Sequence, residues 1–301
     1  MTKYLTIVAL CLVTFSQLAC EEKHETPEAT IAALRTCVEQ GRADKIPNYI
    51  YADSANMRKL LTRFGRLLGN LQTLGVAVST KFPNEVAELR AKAETAAKEG
   101  KSSSFLSQMI SQQRRGNRGA AVKIGTGAQP PDKMQDAFND AMKQLFADPY
   151  AWIAQSEQRL TTEFLTDQSV AVLWDGQPVM PPLGMVMKRD LNDGNWYFVL
   201  PTNLPGAKSI FPKTDREFEI WGGLVTVFDK MIIDLTKQVN EGQVSSIDDL
   251  SFKAGEMAFM PAMITMYAFG QLKDAEKKEA KAAQAAAAPA PATSTPAVTG
   301  K

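Results

Sequence analysis

The sequence predicts an α+β fold that is mostly helical, with a small antiparallel β-meander at about residues 168–200 packed with several amphipathic helices. Three observations carry this. Apolar residues recur at three- and four-residue spacing on both sides of the meander, most clearly at Met57, Leu60, Leu61, Phe64, Leu67, Leu68, Leu71 and Leu74. β-prone residues gather in one short region, from Val170 to Leu200, punctuated by the turn pair Asp175-Gly176 and the run Asn192-Asp193-Gly194-Asn195. The composition, 45% apolar and 22% charged over 301 residues, is that of a globular chain.

A leader precedes the fold. Lys3 supplies a positive charge, Leu5 to Phe15 is apolar except for Thr6 and Thr14, and Ser16-Gln17-Leu18-Ala19-Cys20 closes the run. That order is a secretory signal peptide over residues 1–19. The apolar run is shorter than the roughly 20 residues of a spanning helix. Leu18-Ala19-Cys20 resembles the lipobox of bacterial lipoproteins, in which the cysteine is acylated and becomes the new N-terminus; Gln17 stands where that pattern usually has Leu. The resemblance implies lipidation at Cys20, a tether over 20–25 and a periplasm-facing protein held at a membrane, with Glu21 favouring the outer membrane. The alternative is cleavage near Ala19 that leaves Cys20 a free thiol.

Thr26-Pro27-Glu28 opens the first helix: a capping hydroxyl, a proline at the first helical position and an acid at the positive dipole end. Ile31, Leu34 and Val38 share its inner face and Gly41 ends it. A short helix follows over 43–51, then the long helix from Met57. Gly65 and Gly69, four apart, could allow close approach of another element. Residues 84–99 predict an Ala/Glu/Lys-rich helix with Val86 and Leu89 as its narrow stripe, and 104–113 another through Phe105, Leu106, Met109 and Ile110. Residues 114–132 lack periodicity and hold Arg114, Arg115, Arg118, Lys123 and Pro130-Pro131, which predicts a mobile loop. A helix to about Phe146 carries Met134, Phe138, Met142 and Leu145, and a shorter one spans 150–158.

The meander consists of Val170–Trp174, Leu183–Arg189 and Trp196–Leu200, with Pro178, Pro181 and Pro182 disturbing the entry to its second strand. Thr214 or Asp215 then caps a long helix through Leu224, Phe228, Met231 and Leu235 to about Val239. Ser246 or Asp248 begins the last helix, to about Ala283. Met257, Phe259, Met260, Met263, Ile264, Met266, Tyr267 and Phe269 make its middle apolar nearly all round, which predicts a buried core helix kinked at Pro261. The Ala/Pro/Thr/Ser tail after Gln284 has no means of building a core and is expected to be disordered.

The opening Thr26-Pro27-Glu28-Ala29 helix, the Tyr49-bearing helix and the strands Met185-Val186-Met187-Lys188-Arg189 and Gly194-Asn195-Trp196-Tyr197-Phe198 resemble the cone-shaped α+β fold of the NTF2-like superfamily. The resemblance covers 26–52 and about 160–203. It implies a single domain over 26–272, with 54–158 as a helical insertion and 273–301 as a helix end and tail. It also implies a cone whose inward strand residues, Trp174, Met185, Met187 and Trp196, either line a pocket for an apolar ligand or pack against the added helices. Members that are enzymes place an Asp and a His, or paired carboxylates, in the cone.

Charge and reactive residues narrow the chemistry. Removing residues 1–19 takes away Lys3 alone among charged groups and leaves a formally neutral chain, with no general attraction to nucleic acid. Cys11 lies in the leader, so Cys37 is the only cysteine in the folded part, and its helical periodicity marks a small buried hydrophobe. His24, the only histidine, falls in the charged tether stretch, which leaves no histidine for an acid/base pair within the fold. Asp229 and Asp234 fall on a solvated helix face. No spacing of Cys and His suits zinc, Gly125-Thr126-Gly127 lacks the rest of a phosphate loop, and nothing calls for a cofactor. The Arg114–Lys123 cluster could touch phospholipid headgroups or acidic polymers. The sequence thus favours a non-enzymatic envelope lipoprotein that binds or scaffolds. Its partners would be the membrane, through the anchor, and an envelope protein or a small apolar ligand. The alternatives are a periplasmic binder of a small molecule or lipid, and a hydrolase or isomerase working through carboxylates alone.

Overall fold

The computed structural model describes residues 24–98, 142–143, 145–150, 153, 159–178, 184–202 and 210–286. The leader, Cys20, the helix expected at 104–113, the 114–132 loop, most of the helix at 150–158, Pro181 and Pro182, and the tail lie outside them. The described residues form a mostly helical α+β structure with one five-stranded antiparallel sheet.

Helix α1 (Pro27–Glu39) starts where the sequence places it: Thr26 caps it by accepting from the Ala29 N–H at 3.1 Å. Gly41, at φ +74°, turns the chain into a 3-10 helix, Ala43–Tyr49. Helix α2 (Ala55–Lys81) is capped by Ser54, and α3 (Pro83–Lys98) follows. Gly65 and Gly69 let α2 sit directly on the 3-10 helix; a Cβ on Gly65 would lie 2.5 Å from the Asp44 carbonyl oxygen.

The sheet runs in the order β1 (Leu160–Thr166), β2 (Ser169–Trp174), β4 (Met185–Arg189), β5 (Trp196–Val199), with the two-residue β3 (Gln177–Pro178) also paired to β2. It therefore begins earlier than the expected residue 168. Leu160–Thr166 alternates too weakly to signal a strand, and only Leu160 and Thr162 of it are even half-buried. Asp175 (φ 52°) and Gly176 (φ 72°) make the β2–β3 turn, with both central residues in the left-handed region, as a type I′ hairpin requires. Beyond β5, the Tyr51 N–H donates to the Phe198 carbonyl at 2.8 Å, so the segment after the 3-10 helix extends the sheet edge.

Helices α4 (Asp215–Asn240) and α5 (Ile247–Ala286) complete the fold. Thr214 and Glu217 form a reciprocal capping box on α4. Helix α4 lies parallel to α2 in a seven-residue register: Asn56 meets Asp215, Arg63 lies across Gly222, and Asn70 meets Asp229. A heptad step keeps one face of each helix toward the other. Helix α5 returns antiparallel along α4, pairing Trp221 with Phe269, Glu217 with Lys273 and Thr214 with Glu276. The main core draws on α2, α3, Met142, Phe146 and Ala147, α4 and the first half of α5, around Leu74, Val78, Phe146, Leu235 and Leu250.

Three expectations are corrected. His24 is not in a loose tether; it is 5% exposed and built into the fold. Asp229 is not on a solvated face; it is 8% exposed, because Asn70 on the parallel helix donates to it at 2.6 Å. The middle of α5 is not buried all round. Its Ala254, Ala258 and Phe269 face inward, while Phe259, Met260, Met263, Ile264 and Tyr267 are exposed, since α4 can cover only one side of it.

Candidate functional site: the meander face and the His24 clasp

Alternation along the strands puts Val170 and Val172 of β2, Met185 and Met187 of β4, and Trp196 and Phe198 of β5 on one face. All four residues singled out from the sequence, Trp174, Met185, Met187 and Trp196, belong to it. Their surroundings differ. Met187 (0% exposed) and Trp196 (3%) are sealed among Val170 and Val172, with Ile31 of α1, Leu160, Met185 and Phe198 packed against them. The ring of Phe164 stands edge-on to Trp196, with centroids 5.9 Å apart. Trp174 lies at the hairpin end, half-buried, with the Arg159 guanidinium 4.7 Å above its ring and Asp175 bonded to the same guanidinium. This face is filled by side chains, with α1 as its cover. Two open grooves of about 410 and 390 Å3 lie elsewhere: one between α2 and α3 beside Val86 and Arg90, the other between α2 and α4 beside Val76 and Thr236.

The entry of the chain is fixed on the same strand. The Trp196 N–H donates to the His24 carbonyl at 3.0 Å. His24 Nδ1 lies 2.8 Å from the Trp196 carbonyl; a carbonyl only accepts, so Nδ1 carries the proton. Thr30 Oγ1 donates to the same carbonyl at 3.1 Å. The His24 ring packs edge-on to Tyr49 and Tyr197, at 5.1 and 5.0 Å between centroids. Tyr197 donates to Asp193 Oδ2 at 2.5 Å. Burial, then this bond to a carboxylate, pushes the Tyr197 hydroxyl up to about 12. Burial pushes Asp193 up as well, but the bonds from Tyr197 and from the Asn195 N–H outweigh it and hold Asp193 below the usual carboxylate range. Cys37, buried as its periodicity implies, lies 3.7 Å from the Tyr49 hydroxyl.

This clasp was not legible from sequence, because its partners lie 172 residues apart and a lone histidine has no local pattern. Its bonds hold residue 24 to strand β5. They leave Nδ1 engaged with a carbonyl, and the ring between two tyrosines.

Asp229 faces Asn70, while Asp234 is exposed on α4, so the two carboxylates named from the sequence are not brought together. Among the described residues, no three His, Cys, Asp or Glu side chains gather where they could hold a metal ion, and no helix is long and apolar enough to cross a membrane. No protein-family model, curated protein or solved structure matches the chain.

Proposed function

We propose that this protein is a non-enzymatic, lipid-anchored binding or scaffolding protein of the bacterial cell envelope. The observation that carries the reading is the filled meander face: Trp196 and Met187 are core, so the work of the domain falls to its outer surface. The His24 clasp supports the anchored part. Three residues separate His24 from Cys20, four Cα–Cα steps with a reach of at most about 14 Å. An acyl chain on Cys20 would hold the β5 edge of the sheet close to the headgroups, with α4 and α5 on the far side of α2.

Metabolic labelling with a fatty acid tests the anchor. Label should enter the wild type and be lost in Cys20→Ser, which should also leave the membrane fraction. Equal labelling of both would remove the anchored reading.

A further inference from the structure

We infer that the outer face of α5 is a self-association surface, on which a second copy of this chain docks antiparallel. Phe252, Phe259, Met260, Met263, Ile264 and Tyr267 fall at helical spacing on the side turned away from α4, each between 48% and 71% exposed. At about 200 Å2 for a fully exposed side chain of this size, they expose roughly 700 Å2. That exceeds the roughly 300–600 Å2 of the largest apolar patch on a typical monomer. It approaches the about 800 Å2 that each partner contributes to a standard interface.

The charges around the stripe say what it fits. Asp248, Asp249 and Glu256 outnumber Lys253 at its N-terminal end, where Asp248 also pairs with Lys143 and Asp249 with Lys253, and Lys277, Lys278 and Lys281 outnumber Glu279 beyond its C-terminal end, so the two ends keep opposite net sign. A surface that is acidic at one end and basic at the other is complementary to itself when turned through a two-fold axis. With the axis at Met263, Phe259 of one copy stacks near Tyr267 of the other, and Asp249 comes level with Lys277. The helix dipoles then also run opposed, which favours the pairing. Nothing in α4 obstructs it. The register of the α4–α5 hairpin puts Val227, itself exposed, level with Met263. Residues 277–286 run past the start of α4, since Glu276 already meets Thr214, and so project toward the partner's acidic end. A membrane-surface helix would carry mainly free Lys and Arg beside its apolar face; along the stripe this one has Glu256 and Asp274, while Lys253 is bound to Asp249 and Lys273 to Glu217.

This inference rests on the scaffolding reading for its purpose, but its test does not depend on the anchor. In intact cells, Met263→Cys in the full chain should give a disulfide-linked species of twice the mass, which the wild type does not give. Glu256→Cys alone should not cross-link, whereas co-expressed Glu256→Cys and Gly270→Cys chains should. Purified wild type at about 20 µM, above the micromolar Kd of a weak standard-size interface, should have the mass of two copies. Met263→Lys should have the mass of one, with an unchanged melting temperature because the side chain is exposed. A wild type of one-copy mass overturns the proposal. If that monomer floats with phosphatidylethanolamine–phosphatidylglycerol vesicles and Met263→Lys does not, the face belongs to a membrane. If it binds a hydrophobic dye only when residues 99–141 are deleted, the face belongs to the chain's own insertion. Dimers with no fatty-acid label on Cys20 would remove the anchor alone; label without dimers would remove the self-association alone.

Discussion

Asn70 donates to Asp229 across α2 and α4 at 2.6 Å, two heptads after Asn56 donates to Asp215 at 2.5 Å. The two bonds pin a parallel helix pair in one register. They differ in burial: Asp229 is buried and Asp215 is exposed.

That difference sets a prediction. Asp229→Ala leaves a partly buried amide unpaired and should cost about 1.5–3 kcal/mol, the range for a hydrogen bond to a charged group. Asp215→Ala should cost under about 0.5 kcal/mol beyond its small contribution to the helix dipole. Urea denaturation of the two variants measures both. Equal losses would mean that the register is not held where Asn70 and Asp229 meet.

Two helical glycines should respond with opposite sign. Gly65→Ala drives a Cβ to 2.5 Å from the Asp44 carbonyl oxygen, a backbone atom that cannot swing aside. It should lower stability by about 1–3 kcal/mol, as overpacking does. Gly223 on α4 has nothing within 4 Å of its Cβ position, so Gly223→Ala should raise stability by about 0.5–1 kcal/mol through helix propensity. Thermal melts of both variants check the pair.

Much of this architecture was legible in the sequence, and the reasons are local. Thr26-Pro27, Thr214 and Ser246 cap helices where the sequence offers them, because a cap is a short-range bond whose residues announce it; Ser54 and the Glu217 half of the capping box emerge only in the structure. Asp175-Gly176 announced its hairpin for the same reason. What was hidden depends on distant chain. Nothing near His24 shows that Trp196 completes it, and nothing near Asp229 shows that Asn70 does. The apolar middle of α5 misled in the other direction. Its sequence is fit for burial on every side, but only α4 and the neighbouring core reach it, on one side. The four meander residues were correctly grouped on one face. Whether such a face is filled or hollow depends on α1 arriving over it, which strand alternation cannot show.

Alkaline pH should weaken the clasp side of the sheet. Tyr197 has its hydroxyl pushed from 10.0 up to about 12 by burial and by Asp193. The folded state therefore holds this proton more tightly than the unfolded chain. The contribution is complete below pH 10 and is lost as pH rises from 10 to about 12. Asp193 works in the opposite sense: its depressed pKa contributes fully above the unfolded carboxylate value of about 4, and the contribution is lost as pH falls from there through the lower folded value. Tyr197→Phe should flatten the fall in stability above pH 10. An unchanged alkaline limb would mean that this hydroxyl is solvated in the folded state.

The central claim is that the meander face is core. Chemical denaturation of Trp196→Ala, in a chain beginning at Glu21, tests it most directly. Trp196 is 3% exposed among Val170, Val172 and Met187, so truncation should cost about 3–5 kcal/mol, the range for deleting a large buried aromatic. Trp196→Phe, which keeps most of the ring volume, should cost much less. A loss of about 1 kcal/mol or less for Trp196→Ala would contradict the account, because it would mean that water already reaches this face and that the sheet encloses an open pocket.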